Sequence, residues 1–270
     1  MHTQLVHTVA LGTGLLLMLA RSASGQHDGD INPSVAPAGD GFARIQTNAI
    51  DKDGAVTPGV RVFGPVFGES GFPEFTSEPG FDALPGTFAP GTRVGFHAPQ
   101  GFLLFNGAGL APVTTERLNV KFATLESTIG PAPDEGFDLA VQEDGGWHRH
   151  LSYTILDTSM PLPPIGIYVL PMTLYSTDPA VLESELFWMV FDYGAGEAAH
   201  DAAIEWVEAN LVATCPADLD DDQAVGAGDL ATLLGQWGSA GSADLDGDGI
   251  VNAGDLASLL GAWGRCPGRK

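Results

Sequence analysis

Positive charge is scarce in this sequence. Its 270 residues hold 11 Lys and Arg against 34 Asp and Glu, a formal net charge of −23. Phosphate backbones are held by basic surfaces, so this balance excludes nucleic acid as a partner and favours cations. Cysteine is nearly absent: Cys215 and Cys266 are the two in the chain. An even pair that brackets a compact segment of an exported chain reads as a disulfide, which leaves no thiol to act as a nucleophile. Long apolar runs are confined to residues 9–20, too short for a comfortable membrane span and followed by the small residues Ser22-Ala23-Ser24-Gly25. Residues 1–25 therefore read as a signal peptide, although its start offers His2 and His7 in place of Lys or Arg. No later stretch is apolar enough to anchor the chain, so the mature protein is expected to be secreted or held at a cell surface, with no membrane span.

What is present is enough to fold. The chain is 44% hydrophobic and 9% aromatic, with 36 Gly and 19 Pro distributed as turn formers. After a leader at 26–40 that reads as mobile, short segments rich in β-branched and aromatic residues recur at 59–67, 91–97, 117–122, 136–141, 148–155, 165–175 and 186–191. Clusters of Gly, Pro, Asp and Asn separate them. This spacing predicts a mainly β domain over 41–211, a β-sandwich or jelly-roll-like fold. Ile204, Val207 and Leu211 stand at helical spacing in 197–211, which predicts a closing helix. A short linker at 212–214 leads to a second module at 215–267 and a tail at 268–270.

The second module is an internal repeat. Residues 217–238 and 243–264 agree at 16 of 22 places with a period of 26. In the second copy Asp244, Asp246, Asp248, Asn252 and Asp255 occupy loop positions 1, 3, 5, 9 and 12, with Gly249 at the sharp turn of position 6. Oxygen donors at these places suit Ca²⁺, which takes six to eight oxygens at roughly 2.3–2.6 Å. The first copy offers Asp218, Asp220, Asp222 and Asp229 but has Gln223 at the turn and Gly226 at position 9, so it is expected to bind more weakly. Leu256, Leu259, Leu260 and Trp263 follow the second loop at i, i+3, i+4 and i+7, as Leu230, Leu233, Leu234 and Trp237 follow the first, which predicts one apolar helix face after each loop. A module of some fifty residues buries little, so bound metal is expected to supply folding free energy. A Cys215–Cys266 bridge would add about 4 kcal/mol in the chain-entropy account.

Two loops, each followed by a single helix and each carrying Asp at position 12, make 215–267 resemble the type I dockerin module. That resemblance implies two paired, EF-hand-like loop-helix units around two calcium ions and a cohesin-like partner. Dockerins recognise cohesin largely around the helix starts, where this chain has only Ala227-Gly228 and Ala253-Gly254. The resemblance also implies the company of polysaccharide-degrading enzymes, an association that says nothing of residues 41–211.

In the stretches "GFPEFTSEPGFDALPGTFAPGTRVGF", "GGWHRHLSYTI", "YSTDPAV" and "EAAHDAAIEWVEANL" the larger domain resembles a family of exported proteins. Some of its members are controlled by the zinc-uptake repressor and end in a PEP-CTERM sorting tail. In this chain the dockerin-like module stands where that tail would be. The resemblance implies a zinc connection. His148 and His150, two apart, project from one face if they lie on a strand, a start to a zinc site. His200 on the closing helix, or His27, Asp28 and Asp30 near the start, are candidates for a third ligand.

Catalytic patterns are weak. Gly68-Glu69-Ser70 lacks the spacing of a nucleophile elbow, and the glycines form neither a Walker nor a dinucleotide pattern. Glu69, Glu74, Glu78, Glu183 and Glu185 include candidate glycosidase carboxylates, and Trp147, Trp188 and Trp206 can stack on sugars or pack in a core. The balance favours a secreted, non-enzymatic binding or structural protein with a calcium-dependent docking module. A zinc-binding exported protein and a carbohydrate-active enzyme or carbohydrate-binding protein, with a glycan or cell-surface component as partner, are the alternatives.

Overall fold

The computed structural model describes residues 29–38, 42–212, 215–220, 222 and 224–265. The expected signal peptide, His27, Asp28, Cys266 and the tail lie outside the described residues. The larger part is mainly β, as expected, and is built of several sheets consistent with a sandwich. Among the described residues no helix is long and apolar enough to cross a membrane.

One sheet runs in the order Trp147–Arg149, Phe81–Ala83, Gly29–Pro37, Ala43–Asp51, Val181–Leu182. A second joins Leu125–Ile129, Glu116–Phe122, Ser152–Asp157 and Phe75–Thr76. A third has Asp138–Ala140, Arg93–His97, Gly166–Ser176, Phe187–Tyr193 and Val62–Phe63 along its main path. Their inner faces meet on a core that includes Ile31, Ile45, Phe81, Leu118, Tyr153, Leu170, Phe187 and Phe191. Each large apolar side chain taken out of water there contributes about 1.5–3 kcal/mol before entropy is charged against it.

The long strands at the centre of the third sheet are apolar on both faces, and alternation explains where each face goes. Tyr168, Leu170, Met172 and Leu174 point into the main core, whereas Ile167 and Val169 point the other way. On the neighbouring strand Phe187, Met189 and Phe191 enter the core while Trp188 and Val190 face outward. That outer face is covered by helix α1, Glu197–Asn210, through Ala203, Ile204 and Val207. The closing helix therefore forms where its spacing predicts, because the sheet behind it has a second apolar face to bury.

Residues 26–40 are not simply a mobile leader. Gly29–Pro37 is a strand, paired antiparallel with Ala43–Asp51 along its whole length. Ile31 opposes Ala49 and Val35 opposes Ile45, placing these four on one core-facing side. Pro33 is tolerated because the parallel neighbour Phe81–Ala83 meets this strand only at Ile31, so no ladder bond is asked of the proline on that side. The domain accordingly begins by residue 29 rather than 41.

Residues 215–265 hold two loop-helix units with a small core of their own. Helix α2, Ala227–Gly235, and helix α3, Ala253–Gly261, bury Leu233 and Leu259 together with Ala217, Val225, Ala243 and Val251. The predicted apolar faces divide: Leu230 and Leu256 are partly buried, but Leu234, Leu260, Trp237 and Trp263 stay about half exposed. Two nine-residue helices bury only a narrow stripe, and the rest of each face has no layer above it in this module. Ala224–Val225 pairs antiparallel with Gly264–Arg265, joining the end of the module to its first loop. Cys215 packs against the small core; the expected bridge to Cys266 lies outside the described residues.

Candidate metal centres

Both repeated loops draw their carboxylates inward. Asp218, Asp220, Asp222 and Asp229 offer oxygens within 4.8 Å of one another, as do Asp244, Asp246 and Asp255. The aspartate at position 12 ties each loop to its helix. Asp255 Oδ1 accepts the N–H groups of Leu245 at 2.6 Å and Asp246 at 3.1 Å, and its Oδ2 accepts that of Asn252 at 2.7 Å. Asp229 does the same with Leu219 at 2.5 Å, Asp220 at 3.1 Å and Gly226 at 2.6 Å. These amides, Asn252 first, hold the Asp255 carboxyl below the ordinary carboxylate range against the opposing effect of burial.

Position 9 separates the copies. Asn252 accepts Gly254 N–H at 2.8 Å as the cap of α3, and its amide donates to Asp248 Oδ2 at 3.0 Å and to the Ile250 carbonyl at 2.8 Å. Asp248 is thus held by Asn252 and stands outside the converging group of three, whereas its counterpart Asp222 belongs to the first group. Gly249 has φ +94°, the left-handed conformation expected of position 6; Gln223 lies outside the described residues. The Ala-Gly pairs at the helix starts also have a local reason. A Cβ on Gly228 would overlap Asp220 Oδ2, and one on Gly254 would overlap Asp246 Oδ2, so the carboxylate at position 3 fills that space.

Of the candidates for a third ligand, the described residues bring Asp30 to the histidine pair and not His200. His148 and His150 do come together, with ring centroids 5.1 Å apart, and the residue that joins them is Asp30. His200 is no partner to them. It is buried under α1, with Nε2 2.7 Å from the Val190 carbonyl, where it ties the helix to the sheet. Two further carboxylates border the pair. Asp82 Oδ1 lies 3.1 Å from His148 Nδ1, and Glu78 Oε1 lies 3.4 Å from His150 Nδ1. Burial raises the Glu78 carboxyl and the Asp30 charge adds to this, while His150 opposes it. The roles of Asp82 and Glu78 had no sequence signal: register alone sets His148 opposite Asp82, 66 positions away.

Four other candidates are held in contacts of the fold. Glu185 pairs with Arg61 at 2.6 Å, and Glu183 accepts the Thr173 hydroxyl and lies 2.8 Å from His97 Nδ1. Trp147 and Trp188 are buried, the ordinary use of tryptophan in a sheet core. No known family model matches this chain, and no curated protein matches it.

Proposed function

We propose that this chain is a secreted binding or structural protein whose C-terminal module, 215–267, is a dockerin-type docking unit held together by calcium. The observation that carries this reading is the duplication in space as well as in sequence: two loops gather carboxylates, and each is clamped to its own helix by a buried aspartate. Unshielded, such groups repel one another, and a divalent cation with oxygen preference turns that repulsion into binding. Calcium is the match because every side chain offered at the loops is an oxygen donor.

Two ions are expected. Asp244, Asp246, Asp248, Asn252 and Asp255 serve the second, and Asp218, Asp220, Asp222 and Asp229 the first. The first is expected to be the weaker, since its sequence has Gln223 where the second loop has the turn glycine. A Cys215–Cys266 bridge closing the module is part of the same proposal. The half-exposed pairs Leu234 with Trp237 and Leu260 with Trp263 supply apolar surface for a cohesin-like or cell-surface protein. Recognition would then rest on these side chains rather than on the alanine and glycine at the helix starts.

Elemental mass spectrometry on the full chain, desalted after equilibration with limiting calcium, tests the reading. About two calcium ions per chain are expected, falling to about one in Asp244→Ala. Calcium-free protein with intact helices would reject it.

A further inference from the structure

We propose that Asp30, His148 and His150 form a binding site for one late first-row divalent cation, with zinc the best match to a set of two imidazoles and a carboxylate. The site lies in the β domain and is independent of the calcium reading of the C-terminal module.

The three residues reach one place from separate parts of the chain. Asp30 lies on Gly29–Pro37, His148 on Trp147–Arg149, and His150 follows directly; Phe81–Ala83 lies between the two strands and pairs with both. Their ligand atoms fall within 4.8 Å of one another. Each is also oriented by a second group. Asp82 Oδ1 lies 3.1 Å from His148 Nδ1, which sets a carboxylate against that side of the ring. Glu78 Oε1 and the Ser77 carbonyl, each 3.4 Å from His150 Nδ1, do the same for the second ring. Asp30 Oδ1 accepts the Gly80 N–H at 2.8 Å, which leaves Oδ2 for the ion. Carboxylate-backed imidazoles of this kind are the usual outer shell of a histidine metal site.

Spacing and charge agree with a cation. Asp30 Oδ2 stands 3.6 Å from His150 Nε2, too long for a hydrogen bond. Two donors on a tetrahedral zinc, each at 2.0–2.1 Å, stand about 3.4 Å apart. Asp30, Glu78 and Asp82 together bring three carboxylates to two imidazoles, an excess of negative charge that a dication reduces. His148 and His150 are partly exposed, which leaves a path for the ion and room for water as a fourth ligand. Gly80 forms the floor: a Cβ there would lie 2.6 Å from His150 Cε1, so glycine is what lets the ring sit over this strand end.

The test is calorimetric titration of the full chain with zinc chloride in saturating calcium, which keeps zinc from the acidic loops. One zinc per chain is expected, with binding abolished in His148→Ala/His150→Ala. Asp82→Asn, which keeps both rings, should weaken it by about 10–100-fold. No uptake by the calcium-saturated protein, or uptake unchanged in the double variant, would overturn the site. Should the double variant fail to fold, protection of the unaltered protein answers instead: zinc should shield His148 and His150 from diethyl pyrocarbonate, read by peptide mass spectrometry. Equal modification with and without zinc would overturn the proposal.

Discussion

At the scale of single residues, three positions carry consequences that can be measured. Gly249 occupies φ +94°, where a residue with a Cβ costs about 1–2 kcal/mol. Gly249→Ala should therefore weaken calcium at the second loop by about tenfold, measurable by competition with a fluorescent chelator. Arg61 has its guanidinium pKa lowered to about 10 by burial, yet stays charged at neutral pH beside Glu185. Glu185→Ala leaves that cation poorly compensated, and urea unfolding should show a loss of about 2 kcal/mol. Asp157 is held below the ordinary carboxylate range chiefly by the Ser159 N–H, with the Ser159 and Thr115 hydroxyls and the Met160 N–H adding to it. A depressed folded-state pKa gives stability that is present above the unfolded value and is lost as pH falls through the folded one. Thermal melts at about pH 5 and about pH 3 should show a smaller fall in Tm for Asp157→Asn than for the unaltered protein.

At the scale of elements, α1 shows how much local pattern can say. Ile204 and Val207 are buried on the outer face of the third sheet, as their spacing implies. Ile204→Ala removes a buried side chain from between helix and sheet and should cost about 3 kcal/mol, with faster amide exchange in α1 as the local signature. The seven predicted β segments all contain strands, and 148–155 divides into Trp147–Arg149 and Ser152–Asp157. The strand Gly29–Pro37 escaped because Gly, Asn, Pro and Ser outnumber its apolar residues. Its core side is carried by Ile31 and Val35, and their alternation acquires meaning only against Ala49 and Ile45 on the partner strand. The helices of the repeat show the converse limit. Periodicity identified Leu256, Leu259, Leu260 and Trp263 as one apolar face, but the neighbouring unit covers only part of it.

At the scale of the whole molecule, the chain has a large β core and a small loop-helix core that meet different needs. The first is stabilised by sheets packed on a shared core, one of them covered on its outer face by α1; the second gathers carboxylates over little apolar surface. Chelation with EDTA should therefore abolish much of the helical circular dichroism and one thermal transition while the β signal persists. A single transition indifferent to EDTA would contradict the calcium reading. The sequence by itself determined the strand-rich class, the closing helix, the repeat and the loop carboxylates, because each depends on spacing within a short segment. Only the tertiary structure decided that Asp30, and not His200, joins His148 and His150. Sheet register brings residue 30 to residue 148, whereas the helix turns His200 inward onto the Val190 carbonyl, and neither outcome is written in local spacing.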